Sequence, residues 1–438
     1  MRKFDLLVIG GGSGGVACSR RAASYGKKVA LFEYKRLGGT CVNVGCVPKK
    51  VMYNSAEIHN AIKIAPEYGF DVKIPTLNYS VLKRKRDAYV ERLNGIYSRL
   101  LNNSNVEVIS QKATFKENKV VVAGGLEYTA PVIVIAAGGE PNTLNIPGKE
   151  YAINSDDFFN KMDKVPKKIA IIGGGYIGNE IACVLNSLGS QVTVIYRGDK
   201  ILRGFDEMLR NSLIESMTAN GIKIKLNTNL SKITKNDHFL DIETTKGDIF
   251  KRFDQVLFAV GRHSVADQLG LSNTALKLNN KNEFETDEWE ETNVKGVYAL
   301  GDINGKIQLT PVAISAGRAL ADRLFDGQKN RKTDYENVPS VVFTHPPIGT
   351  VGLTENEAVK RFGRNKIKTY KSTFVNMLYA LSEIKPKTNY KVVCLLPEEK
   401  VLGVHLFGHG SDEILQGFGS FIHFQLYQIY NNNFCDFD

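Results

Sequence analysis

Two cysteines, Cys41 and Cys46, stand close together in a glycine-flanked segment, Gly38-Gly39-Thr40-Cys41-Val42-Asn43-Val44-Gly45-Cys46-Val47-Pro48-Lys49-Lys50. Thiols this near each other can do redox chemistry, because a dithiol gives up two electrons as it closes into a disulfide. On a regular helix an offset of five residues holds the Cα atoms roughly 8–9 Å apart, whereas a disulfide needs them within about 7 Å. A bond here requires the backbone to leave ideal helix, and Gly45 makes that departure easy. A constrained, accessible disulfide is the kind that reduces readily. Two other readings use the same residues, an inert buried pair or half of a zinc site. Zinc asks for two further Cys or His ligands at short spacing, and His59 is what lies nearby. The other cysteines, Cys18, Cys183, Cys394 and Cys435, sit singly. Six cysteines in 438 residues do not make a disulfide framework, and in a reducing compartment a close pair points to redox or metal chemistry.

The second chemical signal is a repeat. An apolar strand, Phe4 to Ile9, runs into Gly10-Gly11-Gly12-Ser13-Gly14-Gly15, then a helix-like stretch, then the strand Lys28 to Phe32, ending at Glu33. This is strand, Gly-x-Gly-x-x-Gly, helix, strand, acid. The glycines permit a tight turn that brings backbone N–H groups to a pyrophosphate at the helix N-terminus, and the acid can bind ribose hydroxyls. The order recurs from Lys168 to Ile172, through Gly173-Gly174-Gly175-Tyr176-Ile177-Gly178, to the strand Gln191 to Ile195. That strand ends in Tyr196-Arg197, with Arg203 six residues further on and no acid in the place of Glu33. Arginines bind a 2′-phosphate by paired hydrogen bonds and an acid would repel it. The first site therefore suits FAD and the second NADP rather than NAD. One such glycine pattern is a weak signal, whereas two in the required context are a strong one.

These motifs need several domains to carry them, and 438 residues suggest about three. With 43% apolar and 24% charged residues the chain has an ordinary globular composition. The run Pro131 to Ala137 is far too short to span a bilayer. A strand-like segment begins directly after Met1-Arg2-Lys3, which leaves no room for a leader and leads us to expect a cytoplasmic protein. The net charge of +11 is compatible with nucleic-acid binding, but the basic residues are dispersed. The one run, Lys83-Arg84-Lys85-Arg86, reads as a solvated helix face, so we expect no nucleic acid and no membrane partner. The surplus charge instead favours anionic small molecules. Val132 to Gly139 reads as a buried strand closing the first nucleotide domain, and Phe258 to Arg262 repeats that ending for the second. Val297 to Asp302 is a further strand with an acid after a glycine, and strands mixed with a helix from Glu355 to Phe362 suggest a separate terminal domain.

The cysteine segment resembles the redox-active motif of the class I pyridine nucleotide-disulfide oxidoreductase family, and Cys-Val-Asn-Val-Gly-Cys-Val-Pro-Lys-Lys is similar to its glutathione reductase branch. The stretch Thr344-His345-Pro346-Pro347-Ile348-Gly349-Thr350-Val351-Gly352-Leu353-Thr354 resembles the interface-domain motif of the same family. The likeness runs from Phe4 to about Phe418. It implies an α/β fold with two Rossmann-like nucleotide-binding domains and a C-terminal α+β interface domain. The expected boundaries are 1–142 for FAD, 143–262 for NADPH, 263–335 for a central segment completing the FAD region, and 336–438 for the interface domain, incomplete after 418.

By the same resemblance, NADPH reduces FAD, which reduces the Cys41–Cys46 disulfide, which reduces glutathione disulfide. Cys46 is then the flavin-side thiolate and Cys41 the exposed thiol that attacks the substrate. Lys49 matches the lysine near the flavin, Glu180 its acidic partner, and Tyr176 the ring gating the nicotinamide pocket. The FAD residues implied are Gly10, Gly12, Ser13, Gly14, Gly15, Glu33, Thr40, Ala113, Asp302 and Thr310. Those for NADPH are Gly174, Tyr176, Ile177, Arg197, Arg203 and Gly261, with Arg262 nearby. For glutathione disulfide they are Arg20, Tyr97 and Arg318, two of them cations suited to a ligand with several carboxylates. No metal is implied.

The family's active sites borrow a histidine and a glutamate from the partner subunit of a homodimer, in a stretch like His-Pro-Thr-Ser-Ser-Glu-Glu. This chain follows the pattern through Gly410 to Phe418 and then reads Gly419-Ser420-Phe421-Ile422-His423-Phe424, ending in an apolar, aromatic and Asn-rich tail. Neither His423, which lacks a following acid, nor His345 is expected to replace the missing acid–base residue. A positioned imidazole typically contributes about 10²–10⁴-fold to a proton transfer. Three outcomes follow: a homodimeric disulfide reductase, an NADPH diaphorase, or an inactive chain that works by pairing with a full-length one.

Overall fold

The computed structural model describes residues 1–423. It divides into two compact units, the first formed by Met1–Lys49, Ser80–Asn142 and Arg262–Tyr335, the second by Lys50–Tyr79, Thr143–Gly261 and the residues from Glu336.

The first unit is built on a parallel sheet of five strands in the order Val297–Ala299, Val132–Ile135, Leu6–Ile9, Val29–Phe32, Glu107–Ile109. Successive strand side chains point to opposite faces, and here both faces are covered. Leu6, Val8, Val29, Leu31 and Val134 join a core with the helices Ser13–Ser24 and Thr310–Phe325, whereas Leu7, Ile9, Phe32, Ile133 and Ile135 join a second core. That second core takes Phe115, Val121 and Tyr128 from an antiparallel layer, Ala113–Glu117, Val120–Ala123 and Leu126–Thr129. Burial on both faces explains why these strands read as unbroken apolar runs. The two helices pack closely because Gly317 lies against Gly14, where an added Cβ would stand 2.5 Å from the Gly14 carbonyl oxygen.

The second unit repeats the scheme with five parallel strands in the order Ile153–Asn154, Gln255–Phe258, Lys168–Ile172, Gln191–Ile195, Lys223–Lys225. In both sheets the strand before the glycine turn lies between the second and the fourth of its series. This is the arrangement that opens a crevice at the carboxyl ends. A three-stranded antiparallel layer, Leu230–Asn236, Phe239–Thr244 and Ile249–Phe253, covers one face through Ile233, Ile242 and Phe253. The unit continues into a five-stranded antiparallel sheet, Ser340–Val342, Ile348–Gly352, Lys400–Phe407, Lys387–Leu395 and Ile367–Val375. Helix Ser411–His423 packs on it through Leu415 and Ile422. Helix Glu355–Phe362 starts with a reciprocal cap, in which Thr354 accepts from the Glu357 N–H and the Glu357 side chain accepts from the Thr354 N–H.

Two segments group differently from the continuous domains expected from sequence. Residues 50–79 belong to the second unit, because Tyr53 packs edge-on to Phe343 and stacks on His345, and Asn60 donates to Ser187. Arg262 belongs to the first, because Arg262–Ser264 pairs with Gly139–Pro141. The basic run at 83–86 lies on helix Tyr79–Asn103 and is only partly a solvated face. Arg84 and Lys85 are exposed, whereas Arg86 is 1% exposed and bonds to Asp87. Among the described residues no helix is long and apolar enough to cross a membrane.

Candidate active site

The helix carrying the cysteines is broken where the distance argument demands. Gly39–Val44 forms one short helix, Gly45 departs to φ −143 and ψ −119, and Cys46 opens the next helix, Cys46–Ile64. A Cβ at Gly45 would stand 2.8 Å from the Thr40 carbonyl oxygen, so the break requires glycine. Both thiols are free. A hydrogen bond from Cys41 is the main cause that lowers Cys46 to about 6, helped by Thr310 and by the charge of Lys49 against the opposing effect of burial. The same bond and burial raise Cys41 well above the ordinary thiol range. One proton shared by two sulfurs therefore sits on Cys41 and leaves Cys46 as the thiolate at neutral pH. Cys46 is exposed and Cys41 half-buried, so of the two it is Cys46 that is the more open, not the thiol expected to be exposed. Its Sγ lies 3.6 Å from Oγ1 of Thr310, a residue matched to FAD.

A residue that motif reading passed over holds this turn. Asn43, 8% exposed, directs its amide Nδ2 at the carbonyls of Arg36, Leu37 and Gly39 at 3.3, 3.1 and 2.9 Å, and Asn94 donates to Asn43 Oδ1 and to the Leu37 carbonyl. Its signal in the sequence was a buried-type position filled by a polar residue inside the motif. Around the pair, Arg262 Nη2 donates to Thr40 Oγ1 and to the Gly139 carbonyl at 3.2 and 2.6 Å. Arg262 thus stands beside the cysteine helix in the first unit. Burial pushes the Asp302 carboxyl up, against the charge of Arg262. Tyr97, whose phenol is raised by burial and by Cys41, completes the group. Arg20 Nε donates to Ser104 Oγ at 3.3 Å, and Arg318 is exposed on helix Thr310–Phe325. The first unit therefore brings together Cys41, Cys46, Thr40, Tyr97, Asp302 and Thr310. Ala113 is buried on its strand, which leaves its main chain as the part able to meet a ligand.

The first glycine turn fits a dinucleotide. Gly10, at φ +112, would put a Cβ 2.3 Å from the Ala136 carbonyl oxygen, and Gly15 would put one 1.9 Å from the Gly10 carbonyl oxygen. Gly12 meets nothing nearer than Gly39 at 3.9 Å, and helix Ser13–Ser24 has no side-chain cap. Uncapped N–H groups behind an open Cα position form a cradle for pyrophosphate. Glu33 accepts from the Gly11 and Lys35 N–H groups. In the second turn Gly173, at φ +135, would clash with the Ala259 carbonyl oxygen at 2.1 Å, Gly175 is open, and helix Tyr176–Ser187 again lacks a side-chain cap. Tyr176 is 45% exposed and Ile177 half-buried. Arg197, Arg203 and Gly261 are exposed. Glu180, 4% exposed, accepts from the Phe343 N–H at 2.8 Å. Ser13, Gly14 and Gly174 lie in the two turns, the last against the Tyr196 ring.

His345 Nε2 stands 3.1 Å from Glu57 Oε1, and the ring stacks on Tyr53. The His423 side chain, Cys435 and the tail from residue 424 lie outside the described residues. Among the described residues no group of His, Cys, Asp and Glu is placed to hold a metal.

The sequence matches the family described as pyridine nucleotide-disulphide oxidoreductase over residues 4–317, and the dimerisation domain of the same family over 338–429. The second match runs past Phe418, where the motif likeness was expected to end. A glutathione reductase of Yarrowia lipolytica is 44% identical over 435 residues, covering 95% of this chain and 92% of the relative. The chain therefore belongs to the pyridine nucleotide-disulphide oxidoreductase family and is an FAD-dependent oxidoreductase that draws electrons from NADPH and delivers them to a disulfide.

Proposed function

We propose that the disulfide reduced is glutathione disulfide, that Cys41 attacks it, and that the chain works as a homodimer. The observation that supports this most directly is the placement of Cys41 beside Tyr97, a residue matched to glutathione disulfide, with Cys46 Sγ against Thr310, a residue matched to FAD. When bound, FAD would accept the hydride of NADPH and hand two electrons to the cysteine disulfide. Gly10, Gly12, Ser13, Gly14, Gly15, Glu33, Thr40, Asp302 and Thr310 would hold FAD, and Gly174, Tyr176, Ile177, Arg197, Arg203 and Gly261 would hold NADPH. Lys49 supplies a positive charge that favours the Cys46 thiolate.

In the reduced pair the Cys41 proton passes to Cys46 as Cys41 attacks one glutathione sulfur. The Cys41–glutathione bond forms, the glutathione disulfide breaks, and the first glutathione leaves as a thiolate that takes up a proton. Cys46, deprotonated again, attacks the Cys41 sulfur, expels the second glutathione and restores the Cys41–Cys46 disulfide. The two electrons and two protons gained by glutathione disulfide are those of NADPH and one solvent proton. Arg20 and Arg318 would bind the glutathione carboxylates. The free buried thiols Cys18 and Cys183 accord with a reducing, cytosolic location.

The test compares NADPH oxidation by glutathione disulfide with oxidation by a quinone, using the purified flavoprotein. We expect turnover with both, and a loss of about 10³-fold or more with glutathione disulfide alone in Cys41→Ser and Cys46→Ser. Turnover with the quinone and none with glutathione disulfide in the unmodified protein would select the diaphorase.

A further inference from the structure

The turn that carries Arg203 is held at both ends. Leu202 adopts a left-handed backbone (φ +52), and its N–H donates to the Gly174 carbonyl at 2.7 Å. Just before it, Arg210 of helix Glu207–Ala219 donates to the carbonyls of Ile201 and Lys200 at 3.0 and 3.1 Å. The Phe205 N–H closes the turn on the Leu202 carbonyl at 3.1 Å. The chain then enters Asp206, whose carboxylate caps helix Glu207–Ala219 by accepting from the Met208 N–H at 2.9 Å.

Asp206 is itself gripped from the terminal sheet. Lys391, on strand Lys387–Leu395, places Nζ 2.9 Å from both carboxylate oxygens and 2.6 Å from Glu355 Oε2, and the Glu355 N–H donates to Asp206 Oδ2 at 3.1 Å. Asp206 and Lys391 are each 2% exposed, so the pair is shielded from solvent and ions. His405 lies 3.9 Å away but adds no charge at neutral pH. Its Nε2 faces the Leu353 carbonyl, which can only accept, so Nδ1 accepts from Thr350, and burial favours this neutral form. Lys391 is therefore the cation that matches Asp206. A buried ion pair of this kind is weak evidence for stability, and its better-attested use is to fix one arrangement.

We propose that Lys391 is a positioning residue for coenzyme choice: through Asp206 it fixes the turn that presents Arg203 to the 2′-phosphate of NADPH. This rests on the assignment of Arg197 and Arg203 to that phosphate. Neither Lys391 nor Asp206 touches the coenzyme in this proposal. The discrimination that two surface arginines provide is then set from the terminal sheet of the same unit, because a phosphate held by a fork of guanidinium donors is sensitive to small displacements of the fork.

The test uses the oxidised holoenzyme and calorimetric binding of 2′,5′-ADP against 5′-AMP, two probes that differ by the 2′-phosphate and need no redox turnover. Lys391→Met alone strands a buried carboxylate and endangers folding, so it is paired with Lys391→Met combined with Asp206→Asn. In the double variant the asparagine still caps the helix and no charge is left unmatched at 206. In either variant we expect 2′,5′-ADP to lose about tenfold in affinity while 5′-AMP changes less than about twofold. An equal loss for both probes, or no loss for either, overturns the proposal. If the unmodified enzyme binds the two probes equally, it is the 2′-phosphate assignment itself that has failed. If it prefers 2′,5′-ADP and the variants keep that ratio, only the role of Lys391 has failed.

Discussion

The two glycine turns share one backbone frame and differ in what the frame presents. In each, the first glycine N–H donates to the last residue of the second strand, Gly10 to Phe32 and Gly173 to Ile195, both at 2.9 Å. In each, the following loop returns to the middle of the triplet, Gly38 N–H to the Gly11 carbonyl at 2.8 Å and Leu202 N–H to the Gly174 carbonyl at 2.7 Å. The residue after the strand is Glu33 in one and Tyr196 in the other, and each lies against the middle glycine. The returning loop then delivers the cysteine helix in the first unit and the arginine turn in the second. A shared frame thus occurs twice, and a few side chains plus one loop distinguish the two copies: Glu33 and the cysteine helix in the first, Tyr196 and the arginine turn in the second.

The comparison breaks first at the third glycine. A Cβ at Gly15 would sit 1.9 Å from a backbone oxygen, whereas at Gly178 the corresponding contact is 3.1 Å. Overpacking against immovable backbone costs about 1–3 kcal/mol or more. Gly15→Ala should therefore purify without flavin colour or not fold, whereas Gly178→Ala should keep its flavin and raise the NADPH KM only a few-fold. Equal damage in both would show that the two frames are not distinguished at this point. Next in size is the arginine pair. Arg197→Ala combined with Arg203→Ala removes charge-assisted hydrogen bonds of about 1.5–3 kcal/mol each, so kcat/KM for NADPH should fall about 10²–10⁴-fold with NADH little changed. Tyr196→Glu copies the acid of the first turn into the second. Repulsion across the site should lower NADPH affinity about tenfold and leave NADH unaffected, which steady-state KM values for the two coenzymes would reveal.

The smallest effect concerns the loop unique to the first unit. Because Cys46 is lowered to about 6 chiefly by the hydrogen bond from Cys41, its thiolate is present at pH 7 and is lost as pH falls through that value. In Cys41→Ala the donor is gone and the titration should move upward. The ultraviolet absorbance of the ionised thiol against pH would show it, and an unmoved curve would mean that Lys49 or Thr310 does the lowering.

How much of this was legible beforehand divides along the same lines. The parallel strands, both glycine turns, the helix break at Gly45 and the NADP-like ending at Arg197 follow from local residue types, because each depends on contacts within a few residues. The placement of residues 50–79 and of Arg262 did not, since it depends on Phe343, His345 and Gly139, far away in the chain. Nor did Lys391, which reads as an ordinary surface lysine until Asp206 is found 185 positions earlier within hydrogen-bond reach.

The order of residues alone determined the groups available to this protein: two thiols spaced so that only a broken helix joins them, and two glycine turns, one followed by an acid and the other by arginines. The folded chain decided which thiol keeps the proton, because the hydrogen bond from Cys41 that chiefly lowers Cys46 forms only once the break brings the two sulfurs together, with Thr310 added from a distant helix. It also decided what steadies the arginine turn, because a buried charge finds its partner only when a distant sheet packs against it.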